Sequence, residues 1–244
     1  MKKKQENHNA RNKGRDTVLL EHGSGGALSR ELVESIIYPL FSSADYPELT
    51  DASPIDLPSP AFMTTDTYTV QPVFFPGGDI GKLAVCGTSN DLAVSGAQAR
   101  YFSLGLVIEE GFPLSHVEEI LRSVLTASEE VGASVVTGDT KVVPRGMGGG
   151  IYINTCGIRK PIGEVLPNPK RIIPGDRIMV SGPVGSHGIA LLAARENLSP
   201  SAHISSDLAH LLPLCEELIT LKEDLRFIRD ATRGGVAAVL NEIT

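Results

Sequence analysis

Tryptophan is absent from this chain, and its Phe and Tyr residues make up only 5% of the 244 positions. A core of any size must therefore rest on Val, Ile, Leu and Ala. Cysteine is scarce. Cys86, Cys156 and Cys215 stand far apart and show no metal-ligand spacing. Buried thiols in a reducing cytosol are the expected reading. No apolar run approaches the ~18 residues of a membrane helix. Residues 1–15 are polar and basic, without the apolar stretch of a secretory signal. Basic residues are the minority: 22 Lys and Arg against 29 Asp and Glu give a net charge of −7. That argues against general nucleic-acid binding, although a local basic patch remains compatible with it.

Glycine is plentiful, and it carries the information. The length allows one large domain or two modest ones. Residues 1–17 read as a disordered basic tail, with order starting near Val18. His22-Gly23-Ser24-Gly25-Gly26 is a flexible loop, followed by a helix with Leu28, Leu32, Ile36 and Leu40 on one stripe. Pro54, Pro58 and Pro60 mark an irregular link. Strands are expected over 61–70, 101–109, 134–137 and 151–158. Helices are expected over 81–97 and from Ser115, where Ser115 and Glu118 have the capping-box spacing and Gly132 gives the stop. A boundary falls near Asn168. Beyond it the pattern predicts strands at 176–181 and 225–228 and helices at 189–196, 207–221 and 236–243. These assignments describe an α/β (α+β) protein with units at 18–168 and 169–244. The last helix has no strand after it, so the second unit is expected to be incomplete within these residues.

Residues 74–84 and 87–92 put two glycine-rich turns and two carboxylates around a run of small apolar residues. Glycines let backbone N–H groups approach an anion, and carboxylates hold the divalent ion that neutralises it. The stretch is not a Walker A loop, because the four-residue spacer and the Ser/Thr after the Lys are missing. Asp66, Asp79, Asp91 and Asp230 read as standing beside glycine or helix-start residues, and Asp139 is a fifth. Mg2+ uses one or two carboxylates plus phosphate oxygens, so scattered aspartates suit ions spread along a polyphosphate. A single Asp reads equally as a cap or turn residue. Asp66 in mid-strand means either an exposed edge or a site. Asp79 and Asp91 would lie ~18 Å apart along one helix and could not share an ion. Lys141 after Gly138-Asp139-Thr140, and Arg233 beside two glycines, either neutralise charge in phosphoryl transfer or are ordinary surface cations. His22 either contacts a phosphate or is merely exposed. His187 carries a weaker signal, and His116 reads as structural.

Taken together, His22–Gly26, Thr64-Thr65-Asp66, residues 74–83, 87–92, 136–143 and 229–242 resemble the HypE hydrogenase maturation proteins. These belong to the superfamily of aminoimidazole ribonucleotide synthetase (PurM), selenophosphate synthetase and thiamine monophosphate kinase. The N-terminal loop lacks the Cys or selenocysteine followed by Lys that a selenophosphate synthetase would need. The resemblance implies two α/β domains, with the N-terminal domains of a homodimer closing a central β-barrel near clefts for ATP and Mg2+. It implies Asp66, Asp91 and Asp230 as metal-binding positions. Gly25, Gly26, Asp66, Asp79, Asn90, Asp91, Gly138, Asp139, Thr140 and Arg233 are implied as nucleotide-binding positions, and Lys141 as the catalytic cation. It further implies a cytoplasmic protein that takes a carbamoyl group from HypF onto a C-terminal cysteine. ATP-dependent dehydration then gives a thiocyanate, which passes with HypC–HypD to the iron of [NiFe]-hydrogenase. Neither nucleic acid nor membrane is an implied partner. None of the three cysteines lies in a Pro-Arg-Ile-Cys-like tail, so the chain as written is expected not to complete the reaction. Two other classes stay open: an ATP-dependent enzyme of the superfamily acting on a small molecule, and a non-catalytic scaffold that binds maturation partners.

Overall fold

The computed structural model describes residues 16–24, 26–42, 61–159, 161–162, 167–196, 198 and 204–243. The expected tail, the Pro54–Pro60 link and Gly25 lie outside the described residues. A helical run covers α1 (Ala27–Leu32), a π turn (Val33–Ile37) and α2 (Tyr38–Phe41). Strand β1 (Phe62–Tyr68) follows, then a small hairpin of β2 (Phe74–Phe75) and β3 (Gly78–Asp79). Next come α3 (Ile80–Val94), β4 (Tyr101–Glu109), α4 (Leu114–Glu130), β5 (Ser134–Val143) and β6 (Ile151–Arg159). The strands form one sheet in the order β1-β6-β4-β5. Strand β6 is antiparallel to both β1 and β4, while β4 and β5 are parallel across the α4 connection.

Strand β4 shows why one face is covered. Phe102, Leu104, Leu106 and Ile108 alternate into the core, while Ser103, Gly105 and Val107 point to the other face and are half-exposed. Helices α3 and α4 close the inner face. Val117, Ile120, Leu121 and Val124 of α4 are fully buried, at the spacing the sequence predicts. The small residues of α3 bring helix and strand close together. A Cβ on Gly87 would lie 2.2 Å from the Tyr68 hydroxyl, so only glycine fits there.

Several expectations need correction. Helix α4 starts at Leu114 behind Pro113, whose φ of −63° suits a helix entry. Ser115 therefore lies inside the first turn, and Glu118 pairs with Arg122 at 2.6 Å instead of closing a capping box. Strand β5 runs on to Val143 because its pairing with β4 continues through Val107↔Lys141 to Glu109↔Val143. Gly138–Lys141 is thus part of an edge strand and not a loop after one.

Beyond residue 168, the expected strand 176–181 is not formed; the residues lie in no sheet. Its Ile178, Met179 and Val180 are 67%, 89% and 55% exposed, with no strand beside them among the described residues. Residues 225–228 are likewise outside any sheet; Asn168 N–H donates to the Arg226 carbonyl at 2.8 Å. Helix α5 is Ser186–Arg195. The predicted helix over 207–221 shortens to α6 (Leu212–Ile219), because Pro213 is tolerated only in a first turn. Residues 204–211 form an irregular strap before it. Helix α7 (Gly235–Glu242) follows a turn with Gly234 at φ +79°. Among the described residues, no helix is long and apolar enough to cross a membrane.

Candidate functional site

Asp91 sits on α3 one turn before its end and faces β1. Its Oδ2 accepts a hydrogen bond from the Thr64 hydroxyl at 2.9 Å. Asp66 lies two residues after Thr64 and so on the same face of the strand. Asp230 of the second unit, just before α7, lies near enough for the charges of Asp91 and Asp66 to act on it. Burial holds the Asp91 carboxyl above the ordinary carboxylate value; the Asp66 charge adds to this, while Thr64 and Arg229 work against it. Burial also raises Asp230, followed by the charges of Asp91 and Asp66. Three carboxylates thus share one field, and ionising them together is unfavourable.

Such a place favours a divalent cation. Among the described residues, no group of three or more His, Cys, Asp or Glu is placed to hold a metal ion. The sign of the coupling follows from the raised values. A group raised in the fold stabilises fully below its unfolded pKa, and the contribution is lost as pH rises through the folded pKa. Asp230→Asn is therefore expected to raise the Tm of the metal-free chain by a few degrees at pH 7.5 and by less at pH 4.5. Thermal scans at the two values check this, and an equal shift at both pH values counts against it.

The structure keeps other predicted site residues apart from this cluster. Asp79 is the N-cap of α3. Its Oδ1 accepts from the N–H groups of Gly81 (2.7 Å) and Lys82 (3.2 Å), and its Oδ2 from Ser123 Oγ (2.5 Å). One oxygen caps α3 and the other ties it to α4. Asp79→Ala is expected to cost about 0.5–2 kcal/mol of stability, read by urea unfolding, with ATP affinity little changed. A fall in ATP affinity at full stability would return Asp79 to the nucleotide. Asn90 is buried and bonds to residues 209 and 211. Arg233 is exposed in the turn before α7.

At the opposite edge of the sheet, Gly138–Lys141 of β5 line a cavity of about 530 Å³ with His22, Gly23, Ser24, Leu32 and Tyr38. Lys141 Nζ lies 3.6 Å from Asp139 Oδ2, both side chains mostly exposed (66% and 71%). Such a pair is weak and screened. A Cβ on Gly138 would meet the Leu104 carbonyl oxygen at 2.4 Å. His22 is buried, and its Nδ1 accepts from the Leu19 N–H at 2.8 Å. Gly26 is exposed at the start of α1. His116 packs edge-on against Phe74 and Phe112, a structural role. The thiols are protonated at neutral pH, since burial pushes Cys86 up to about 12 and Cys215 up to about 11.

Thr64 and Arg229 were not singled out as partners of the carboxylates. The i, i+2 relation of Thr64 and Asp66 was the available signal for the first. Nothing local in the sequence points to Arg229.

An α/β unit whose acidic cluster is joined by a carboxylate from a second, helical segment describes a known class. The family model for the N-terminal domain of AIR synthase related proteins matches residues 50–158, and that for the C-terminal domain matches 174–244. The carbamoyl dehydratase HypE of Cupriavidus necator is 40% identical over 229 residues, covering 93% of this chain and 65% of that protein. A crystal structure of the hydrogenase maturation protein HypE in complex with ATP matches with a TM-score of 0.89 at 44% identity. It covers 93% of this chain and 68% of that one. A HypE–HypF complex matches with a TM-score of 0.73 at 43% identity, covering 89% and 70%. The chain belongs to the AIR synthase related proteins and, within them, to the HypE family. It spans about two thirds of the length of these relatives.

Proposed function

We propose that this chain binds ATP with Mg2+ and serves the reaction named for its HypE relatives, an ATP-dependent carbamoyl dehydration that supports hydrogenase maturation. The meeting of Asp66, Asp91 and Asp230, drawn from both matched segments, is the observation that supports this most. These carboxylates would hold Mg2+ against the polyphosphate, and the ion supplies neutralisation of the phosphoryl charge. Gly138, Asp139 and Thr140 offer backbone and side-chain contacts to the nucleotide from the β5 edge. Lys141, held only by an exposed ion pair, meets the negative charge that develops in transfer.

The substrate is a thiocarboxamide on a cysteine. Phosphorylation of its oxygen makes that oxygen a leaving group. Loss of both N–H protons and of inorganic phosphate, with the C–O bond, leaves a thiocyanate. Cys86 and Cys215 are buried and protonated, so they do not act as the acceptor. HypF is the proposed carbamoyl donor and HypC–HypD the proposed receiver of the cyano group.

The site is also proposed to be shared by two copies. Strands β1 and β5 are the two outer edges of the sheet, three strand spacings or about 14 Å apart. Asp66 and Lys141 of one protomer cannot grip the same phosphate. Pairing the β1 edge of one copy with the β5 edge of its partner sets the two edges side by side and closes a barrel. The open sheet face, with exposed Met63 and Asn154 and half-buried Tyr152 and Cys156, turns inward in that arrangement.

Calorimetric titration with ATP, with and without Mg2+, tests the nucleotide reading. Binding that requires Mg2+ supports it, and heats that do not depend on the metal overturn it.

A further inference from the structure

We propose that Asn90 is the positioning residue that carries Asp230 of the second unit to Asp66 and Asp91, closing a site split between two parts of the chain. The inference rests on the magnesium–nucleotide reading above. Asn90 is only 9% exposed, and both ends of its amide are used. Its Nδ2 donates to the Ala209 carbonyl at 3.0 Å, and its Oδ1 accepts from the Leu211 N–H at 2.9 Å. Bonds to a carbonyl and to an N–H two residues on are what a strand partner would make. They hold the strap at a single register.

That register is passed on by packing. Helix α6 begins directly after Leu211. Its Leu212 and Cys215 bury against Ala93 and Val94 of α3, with Ile228 packed on the same cluster. Ile228 lies two residues before Asp230, so the path from the amide to the third carboxylate runs through one small apolar contact. Asn90 and Asp91 are consecutive on α3 and therefore point about 100° apart. One turn of helix aims a carboxylate at β1 and an amide at the strap. Asparagine is suited to the place, because a short side chain must supply one donor and one acceptor. Leucine would leave the part-buried Leu211 N–H and the Ala209 carbonyl without that partner.

The test compares wild type, Asn90→Leu, Asp230→Asn and the double variant by ATP calorimetry at fixed Mg2+. Amide hydrogen exchange is followed at Leu211. Asn90→Ala, which leaves room for a bridging water, serves as a milder second variant. Asn90→Leu is expected to weaken Mg2+-dependent ATP binding by about 10–100-fold, the usual effect of losing a supporting residue. It should expose the Leu211 amide to exchange while residues 101–158 stay protected. In the Asp230→Asn background it should cost little more, because it acts through Asp230. Equal losses in both backgrounds overturn the proposal. So does unchanged affinity in Asn90→Leu and Asn90→Ala once Leu211 exchanges freely. Absence of Mg2+-dependent binding in the wild type overturns the nucleotide reading and this inference with it. A silent Asn90 beside a sensitive Asp230 overturns this inference alone.

Discussion

Asp91→Ala is expected to remove Mg2+-dependent ATP binding while leaving the chain folded. Asp91 is the middle member of the acidic cluster, coupled to both Asp66 and Asp230, and its loss takes away the carboxylate that joins the β1 edge to the second unit. We expect at least a ~100-fold fall in affinity, about 2.8 kcal/mol. Stability should barely change. Alanine is the best helix former, and the substitution relieves repulsion among carboxylates that the fold holds partly buried. The loss is the Thr64 hydroxyl's partner, worth about 1 kcal/mol. Calorimetry beside thermal unfolding separates the two effects. Retained Mg2+-dependent affinity in a folded Asp91→Ala chain would place the metal elsewhere.

The second large effect is complementation between damaged copies. Asp91→Ala and Lys141→Ala are each expected to lose their sites as homodimers. Mixed dimers of the two should regain half, at about one ATP for two chains. In a mixed dimer one site receives Asp91 from the Lys141→Ala copy and Lys141 from the Asp91→Ala copy, while the other site receives neither. The prediction follows from the strand order β1-β6-β4-β5, which puts Asp66 and Lys141 on opposite edges of a protomer. Differently tagged chains, purified through both tags and titrated with ATP, give the stoichiometry. No recovery in the mixed species would mean that each site is built within one protomer.

Much of the first unit was legible from residues alone. The alternation Phe102, Leu104, Leu106, Ile108 defines β4, and the stripe Val117, Ile120, Leu121, Val124 defines α4. Both patterns are local and repeat at the period of their element. Failures came where a distant partner decides. The strand read as ending at Thr137, and glycine and aspartate disfavour strands, yet pairing with Leu104–Val107 carries it through Gly138–Lys141. Residues 176–181 read as a strand from their apolar run, but a strand needs a neighbour and none lies beside it among the described residues. Residues 207–211 read as helix, yet Asn90 bonds their backbone at Ala209 and Leu211 and they lie outside it.

The same division holds for the site. The sequence alone supplied the aspartates, the glycines and the ~18 Å bar to Asp79 and Asp91 sharing an ion, because helical rise is a local property. Only the tertiary structure decided which aspartates meet. Asp91 joins Asp66 and Asp230, 139 residues further along the chain, while Asp79 caps a helix and Asp139 lies on the far edge of the sheet. Proximity between distant residues is set by strand order and helix packing, and no local spacing encodes it.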